Sequence, residues 1–154
     1  MPTRRAVLVA ALAVTVGGCR LGSREAAGRR SREDRDAAVR ARTVAAERAL
    51  LTAYDAVLAT HPDPGGRLAR LREDHAAHLA ALGAVVSHSP SPGGMSAPPF
   101  PHLLSLERRA AADRVTDCLA ASDPDLARLL ASVAACEAAH AATVLAADRR
   151  RTGA

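Results

Sequence analysis

Residues 123–149 read DPDLARLLASVAACEAAHAATVLAADR, and this stretch decides the fold. The Asp123-Pro124 pair is typical of a helix start, because aspartate accepts a free backbone N–H and proline has none to lose at the first helical position. Seven residues then follow at alternating spacings of three and four, the pattern of a helix face buried in a bundle core. They are Leu126, Leu130, Val133, Glu137, His140, Val144 and Ala147. The stretch therefore predicts a helix from Pro124 to about Arg149 that buries a glutamate and a histidine.

Three other segments show the same alternation. The first helix is predicted from a cap at Ser31 to about Thr60, the second from Asp63-Pro64 to about Val86, and the third over 102–121. Their expected buried faces are Val44, Glu47, Leu51, Tyr54 and Leu58; Leu68, Leu71, His75, His78, Leu82 and Val85; and Leu104, Glu107, Ala111 and Cys118. The pattern predicts an all-α, four-helix bundle over residues 31–150.

The composition agrees with a single helical domain. The chain has 154 residues, of which 38 are alanine and 21 are arginine, with no lysine; Tyr54 and Phe100 are its only aromatic residues among Phe, Trp and Tyr. This length suits one domain, and the bias favours helices over a β-sandwich or barrel. Because single-stranded nucleic acid is held by stacking on aromatic rings, the composition also argues against nucleic acid as a partner.

Residues 87–101 are rich in Ser, Pro and Gly and are predicted to be a linker between the second and third helices. Fully extended, 15 residues reach about 50 Å, enough to cross the length of the bundle. The linker therefore permits either a crossover, with the second and third helices parallel, or an up-down-up-down arrangement. The sequence leaves both open.

Six titratable residues fall near the middle of the predicted buried faces, at similar depth along the bundle. They are Glu47, His75, His78, Glu107, Glu137 and His140. Burying three carboxylates costs several kcal/mol each unless a cation or hydrogen bonds compensate. Histidine and carboxylate ligands suit iron, manganese or zinc, so the layer predicts a site for one or two metal ions. The alternative is a hydrogen-bonded polar core without metal, in which Arg114 neutralises a carboxylate.

This arrangement resembles the ferritin-like di-metal carboxylate bundle, in which two helices carry a lone Glu and two carry Glu-x-x-His. Glu47 and Glu107 match the lone glutamates, and Glu137-Ala-Ala-His140 matches the full motif. The second helix departs from the pattern, since His75-Ala-Ala-His78 has a histidine where the family has its bridging glutamate. The chain is similar to ferritin-like bacterial lipoproteins. The resemblance implies metal binding, iron- or oxygen-related chemistry and a crossover between the second and third helices.

The sequence also supports predictions for residues outside these six. Asp74 is expected to point about 100° away from His75 and to be a poor ligand, and Tyr54 to serve in packing. Cys118 and Cys136 are expected to be free, buried thiols, about 15 Å apart along the bundle axis and too distant for a disulfide. Met95 lies in the linker, so a haem-ligating methionine is not expected, and no haem is predicted.

The N-terminus has the features of an export signal. Arg4-Arg5 precede about 11 apolar residues, too few to span a membrane, and Val16-Gly17-Gly18-Cys19 resembles a bacterial lipobox. We predict a signal peptide over 1–18, lipidation at Cys19 and a flexible tether over 19–30. Export through either the Sec or the twin-arginine route fits the two arginines. An ordinary secretory signal with a chance cysteine is the alternative.

The distribution of charge supports an anchor at a membrane. The chain carries a net charge of +5, but from Arg20 to Arg42 eight arginines face four acids, whereas from Thr43 onward 11 arginines face 12 acids. The basic residues therefore lie beside the predicted lipid, where anionic headgroups attract them. We predict a lipid-anchored protein on the extracytoplasmic face of the cell membrane.

Two functions of different classes follow. The first is a membrane-anchored ferritin-like lipoprotein that binds a transition metal, with no catalytic residue assigned and enzymatic activity left open. The second is a non-catalytic envelope scaffold with a degenerate metal site. The expected partners are membrane lipid through Cys19 and either a second copy or another envelope protein.

Overall fold

The computed structural model is all-helical. It describes the backbone of residues 4–63, 65–85 and 100–153, and their side chains from residue 23 onward. Its helices are α1 (Arg4–Thr60), α2 (Arg67–Ala81), α3 (Phe100–Ala120) and α4 (Pro124–Thr152), and the described residues contain no strand. The predicted all-α class with four helices is confirmed.

The chain divides into two compact units, Met1–Arg35 and Asp36–Ala154. The predicted helix start at Ser31 is wrong, since α1 begins at Arg4. Residues 19–30, predicted to be a flexible tether, are helical; they contain four arginines, two alanines and no proline, although Gly22 and Gly28 disfavour a helix. The side chain of Cys19 lies outside the described residues, so the signal peptide and the lipidation stay predictions.

The start of α4 agrees with the Asp-Pro pattern. Asp123 is its N-cap and accepts a hydrogen bond from the Asp125 backbone N–H over 2.9 Å, and Pro124 occupies the first turn. The Asp36 carboxylate accepts from the backbone N–H groups of Ser122 and Asp123 over 2.7 and 2.9 Å. These bonds tie the start of α4 to α1 within the Asp36–Ala154 unit.

The start of α2 differs from the prediction. The helix begins at Arg67, after Gly66 in the left-handed conformation with φ 62°, and not at Pro64. The Asp63 carboxylate still accepts hydrogen bonds from the backbone N–H groups of Arg67 and Ala69 over 3.1 and 3.0 Å. The N-cap is Gly66, so the predicted cap and the predicted first residue are both wrong, but Asp63 satisfies donors of the first turn.

Two apolar clusters establish the helix directions. The proximal cluster is Val39, Leu82, Leu126 and Leu130. The distal cluster is Ala53, Tyr54, Val57, Leu68, Leu71, Phe100, Leu103 and Val144. By the order of these residues along the chain, α1 and α4 run from the proximal to the distal cluster, and α2 runs the opposite way. In α3, Leu103 belongs to the distal cluster and Cys118 packs against the proximal one, so α3 is parallel to α2.

Parallel α2 and α3 require a connection that crosses from one end of the domain to the other. The ring of Phe100, at the start of α3, lies 5.3 Å from the ring of His61, at the turn before α2. The up-down-up-down arrangement is therefore excluded. Residues 87–99 of the predicted linker lie outside the described residues, whereas Phe100 and Pro101 belong to α3 and not to the linker.

The buried faces match the predicted ones closely in α4 and least in α3. Six of the seven predicted α4 residues are buried, and Ala147 is half-buried. In the segment predicted as the second helix, Leu79 is buried, whereas Val85 is exposed and lies beyond the end of α2 at Ala81. The buried face of α3 consists of Phe100, Leu103, Glu107, Ala110, Arg114 and Asp117. This face is rotated from the expected one because Arg114 and Asp117 pair in the interior, which an apolar pattern does not reveal.

Among the described residues, α4 is the one helix long and apolar enough to cross a membrane by length and composition. The core helix of a bundle passes the same test. In this structure, α4 buries Glu137 and His140 against the other helices.

Candidate metal centre

The six predicted residues lie between the two apolar clusters, and every helix contributes to them. Glu47, from α1, Glu107, from α3, and Glu137, from α4, are fully buried. His75 is also fully buried and His140 is 3 % exposed, whereas the His78 side chain is 13 % exposed. The structure thus collects the six residues into one polar layer, which we call the ligand layer.

His75 is at the centre of the ligand layer. Its Nδ1 lies 2.8 Å from Glu47 Oε2, and its Nε2 lies 3.0 Å from Glu107 Oε1. An ionised carboxylate only accepts hydrogen bonds, so both ring nitrogens donate and the imidazole is protonated. Burial alone would lower the pKa of His75, but the hydrogen bonds and charges of Glu107 and Glu47 outweigh burial and raise it to about 9.

The two glutamates bonded to His75 are held in their charged form. Burial by itself would raise the pKa of Glu47, but hydrogen bonds and the positive charge from His75 and His78 lower it to about 2. For Glu107 the opposing effects are again burial, which raises the pKa, and hydrogen bonds from His140 and His75, which lower it to about 2. The Glu47–His75–Glu107 bridge is therefore a buried imidazolium between two carboxylates.

Glu137 has the opposite environment. Burial and the negative charge of Glu47 raise the pKa of Glu137 to about 9, and the positive charge of Arg114 offsets this only in part. Neither carboxyl oxygen of Glu137 has a hydrogen-bond partner among the described residues. Glu137 is therefore a protonated, buried carboxylic acid, and the nearby carboxylate of Glu47, to which its proton can be donated, helps to hold it in that form.

The ligand layer contains an excess of buried acceptor atoms. Six of its atoms make no hydrogen bond of ordinary length and angle, although His78 and His140 lie near Glu47 and Glu107: Glu47 Oε1, His78 Nδ1, Glu107 Oε2, Glu137 Oε1, Glu137 Oε2 and His140 Nδ1. Each unsatisfied buried polar group costs about 1–3 kcal/mol. Since native interiors contain few such groups, their concentration at one level indicates that the layer is built for something besides hydrogen bonds.

Two overlapping groups have the geometry of a metal site. Glu47, His75 and His78 form one, and His75, Glu107 and His140 form the other, with the donor atoms of each group within 4.8 Å of one another. His78 Nδ1 lies 3.4 Å from Glu47 Oε2, and His140 Nδ1 lies 3.6 Å from Glu107 Oε1. Ligand atoms around tetrahedral zinc are about 3.3 Å apart, from metal–ligand bonds of about 2.0–2.1 Å. These buried His/Glu clusters could hold a metal ion; Glu137 belongs to neither group.

Tyr54 has a more specific role than packing. Its hydroxyl donates a hydrogen bond to Glu107 Oε1, and burial together with the charge of Glu107 raises the pKa of Tyr54 well above its usual value. The ring of Tyr54 lies 5.2 Å from that of His75. Tyr54 therefore orients Glu107 toward the histidines.

Arg114 does not neutralise a carboxylate of the ligand layer by direct contact. Its Nη2 instead donates to Asp117 Oδ2 over 3.0 Å. The expectation that Arg114 bonds a layer carboxylate is wrong because Asp117, three residues later on the same helix, offers a nearer acceptor.

Sequence reasoning missed two residues beside His140 that could bind a metal ion together with it. Its Nε2 lies 3.2 Å from Asp74 Oδ2 and 3.2 Å from Cys136 Sγ, and the three residues form a third group that could hold a metal ion. The expectation that Asp74 points away is wrong, since its side chain reaches across to α4. The spacing of four between Cys136 and His140 was the available signal. Cys118 and Cys136 are free, as predicted, but half-buried and not buried.

No family model matches the chain, and no curated protein or solved structure matches it either. Its function is therefore inferred from the chemistry of the ligand layer.

Proposed function

We propose that the chain is a metal-binding lipoprotein whose ferritin-like four-helix bundle is anchored by Cys19 at the outer face of the cell membrane. One observation carries the proposal: six buried ligand-type atoms of the ligand layer lack a partner. A divalent cation would satisfy carboxylate oxygens and imidazole nitrogens together.

Five residues are suited to hold the ion. They are Glu47, His75, His78, Glu107 and His140, which make up the two overlapping groups. Because these ligands are nitrogen and oxygen atoms, iron, manganese and zinc are the candidate metals. A bound transition metal would supply Lewis-acid or one-electron redox chemistry in the core.

The replacement of the family's bridging glutamate by His75 changes the expected stoichiometry. A bridging carboxylate holds two ions close together through its two oxygens and contributes a negative charge. Once it has lost one proton, His75 offers a single lone pair, on the nitrogen toward Glu47 or on the one toward Glu107, and no negative charge. One ion in the ligand layer is therefore the favoured stoichiometry.

The chain's own groups would change state on binding. His75 holds two protons in the metal-free layer, and a ligating nitrogen must give up its proton to solvent. Tyr54 keeps Glu107 in place, and the apolar clusters on both sides limit the access of water. Metal uptake should therefore release protons.

The helix directions support the ferritin-like assignment. Parallel α2 and α3 joined by a crossover are what the resemblance implies, and a simple antiparallel bundle lacks them. The lipobox at 16–19 supports the anchor, and a twin-arginine route would suit a protein exported after it has folded around its metal.

One observation favours the envelope scaffold as a second candidate. The Glu47–His75–Glu107 bridge compensates its own charges without a metal ion. A domain held in this way could be stable when metal-free and serve as a membrane-anchored support for a partner.

The test is elemental analysis of the full chain, purified in detergent without a metal-binding tag and offered iron, manganese and zinc in turn. We expect His75→Ala to bind one equivalent of metal less than the unmodified chain. The matched control is His61→Ala, because His61 is a half-buried histidine at the distal end of the domain. Equal metal contents in the two variants, or none in the unmodified chain, would overturn the proposal and leave the scaffold.

A further inference from the structure

The imidazole of His140 has two different neighbourhoods. Its Nδ1 points into the ligand layer and lies 3.6 Å from Glu107 Oε1. Its Nε2 lies 3.2 Å from both Asp74 Oδ2 and Cys136 Sγ. We call Asp74, Cys136 and His140 the rim cluster, because the Asp74 side chain is 51 % exposed and Cys136 is half-buried.

We propose that the rim cluster is a separate metal site, which takes one thiophilic divalent cation such as Zn²⁺. The three donor atoms lie within 4.8 Å of one another and come from two helices, α2 and α4. Cysteine, histidine and aspartate are all ligands of zinc. Three protein ligands leave the fourth tetrahedral position for water, which the exposure of Asp74 permits.

The rim cluster differs from the ligand layer in its donor set. The ligand layer offers only nitrogen and oxygen, whereas the rim adds sulfur, which favours zinc over manganese or magnesium. When the cation binds, a metal–sulfur bond replaces the S–H bond of Cys136 and the proton leaves to solvent. The metal keeps its charge, so the step needs neither an oxidant nor a reductant.

Binding at the rim would also give the buried side of His140 a partner. Coordination through Nε2 requires the ring hydrogen to be on Nδ1, which otherwise has no hydrogen-bond partner among the described residues. The hydrogen on Nδ1 points toward Glu107. A histidine that ligates a metal commonly donates its other N–H to a carboxylate. The rim site shares His140 with the proposed metal centre, so an ion at the rim leaves Glu47, His75 and His78 as the group that can hold an ion in the ligand layer.

A cobalt titration of the full chain in detergent, kept reduced with a phosphine, tests the rim site. Co²⁺ bound by a thiolate gives a charge-transfer absorption band in the near ultraviolet. We expect the band to saturate at one equivalent of Co²⁺ and to be lost in Cys136→Ser. Asp74→Asn should weaken cobalt binding by at least about tenfold, and because Asp74 is exposed this variant does not disturb the core.

Cys118→Ser is the matched control, because Cys118 is also a free, half-buried thiol but belongs to none of the possible metal groups in the described part of the chain. The band should be unchanged in Cys118→Ser. A band that persists in Cys136→Ser, or none in the unmodified chain, would overturn the rim site.

His75→Ala separates this inference from the proposed function. It removes a residue of the ligand layer and leaves all three rim residues, so the cobalt band should remain even if elemental analysis finds no ion in the layer. If the band disappears in His75→Ala while circular dichroism shows unchanged helix content, the rim is not a separate site and the inference is overturned.

Discussion

The helical domain buries two polar layers that are built on opposite principles. The ligand layer contains three glutamates and three histidines. The arginine layer consists of buried Thr43, Arg114 and Asp117 and of Arg42, whose side chain is 50 % exposed, and lies seven residues further along α3, about 10 Å away. Arg114 Nε and Nη1 have no hydrogen-bond partner among the described residues. In the arginine layer, Asp117 Oδ1 accepts from Arg42 over 2.6 Å, and Oδ2 accepts from Arg114 and Thr43 over 3.0 and 3.4 Å. In the ligand layer, both oxygens of Glu137 are without partners.

The two layers differ in whether their positively charged groups can lose a proton. Arginine keeps its proton in proteins, so the pairing of Asp117 is permanent and needs no metal. Histidine gives up its proton near neutral pH and then offers a lone pair to a cation. A buried layer that combines histidines with unpartnered carboxyl oxygens is therefore able to exchange protons for a metal, whereas the arginine layer only stabilises the fold.

Removing Asp117 should have the largest effect on stability. Asp117→Ala leaves Arg114 buried without its partner, and breaking a buried ion pair costs about 3–5 kcal/mol. Urea denaturation of the metal-free chain measures this loss. Metal content per folded chain should not change, and a parallel loss of metal would show that the two layers form one network.

The metal-free chain should lose stability as the pH rises from about 6 to about 9. The folded pKa of His75 is raised from 6.5 to about 9, so its stabilisation is fully present below pH 6.5 and is lost as the pH passes 9. The pKa of Glu137 is raised from 4.5 to about 9, so the folded chain retains a proton that the unfolded chain releases, and stability also falls over that range. The effect is on the order of a few kcal/mol.

Below about pH 4.5 the pH dependence of stability has the opposite sign, and stability falls as the pH falls. The pKa values of Glu47 and Glu107 are lowered to about 2, so their stabilisation is present above pH 4.5 and is lost as the pH falls toward 2. Thermal denaturation in the presence of a chelator should therefore show a maximum near pH 5–6. Bound metal should reduce the loss of stability between about pH 6 and pH 9, because the metal ion replaces the protons of the ligand layer. A metal-free chain that is most stable near pH 9 would contradict this account of the ligand layer.

Tyr54→Phe should have an intermediate effect. It removes the hydroxyl that donates to charged Glu107, and a hydrogen bond to a charged group contributes about 1.5–3 kcal/mol. Thr43→Val is the comparison in the arginine layer, where the bond to Asp117 is long, at 3.4 Å, and its loss should cost less. Urea denaturation of both variants ranks the two contacts. A larger loss for Thr43→Val would contradict the account of Tyr54 as the residue that orients Glu107.

Glu137→Gln should have the smallest effect near pH 6. With its pKa at about 9, Glu137 is already neutral there, and glutamine has nearly the same shape. The free energy of unfolding of the metal-free chain should stay within about 0.5 kcal/mol, while its decline toward pH 9 becomes shallower. A clear loss of stability at pH 6 would mean that Glu137 is charged in the folded chain.

The prediction from sequence was most accurate where the spacing of a helix face is regular. The Asp123-Pro124 pair and the spacing from Leu126 to Val144 located α4 and its buried face, which includes Glu137 and His140. In α3 the face was misplaced, because few large apolar residues mark it and buried Asp117 is not recognised by an apolar pattern. Asp74 was misjudged for a related reason: ideal helix geometry describes the direction of a side chain from its backbone, not how far it reaches toward a neighbouring helix.

The sequence by itself determined that the chain is helical, where α4 starts, and which six titratable residues share one depth, because these follow from local propensity and from a period of 3.6 residues. The tertiary structure decided that α2 and α3 are parallel, that His75 bridges two carboxylates and that His140 contacts the rim through its second nitrogen. These depend on distances between residues 28 to 66 positions apart in the chain, which no local pattern encodes.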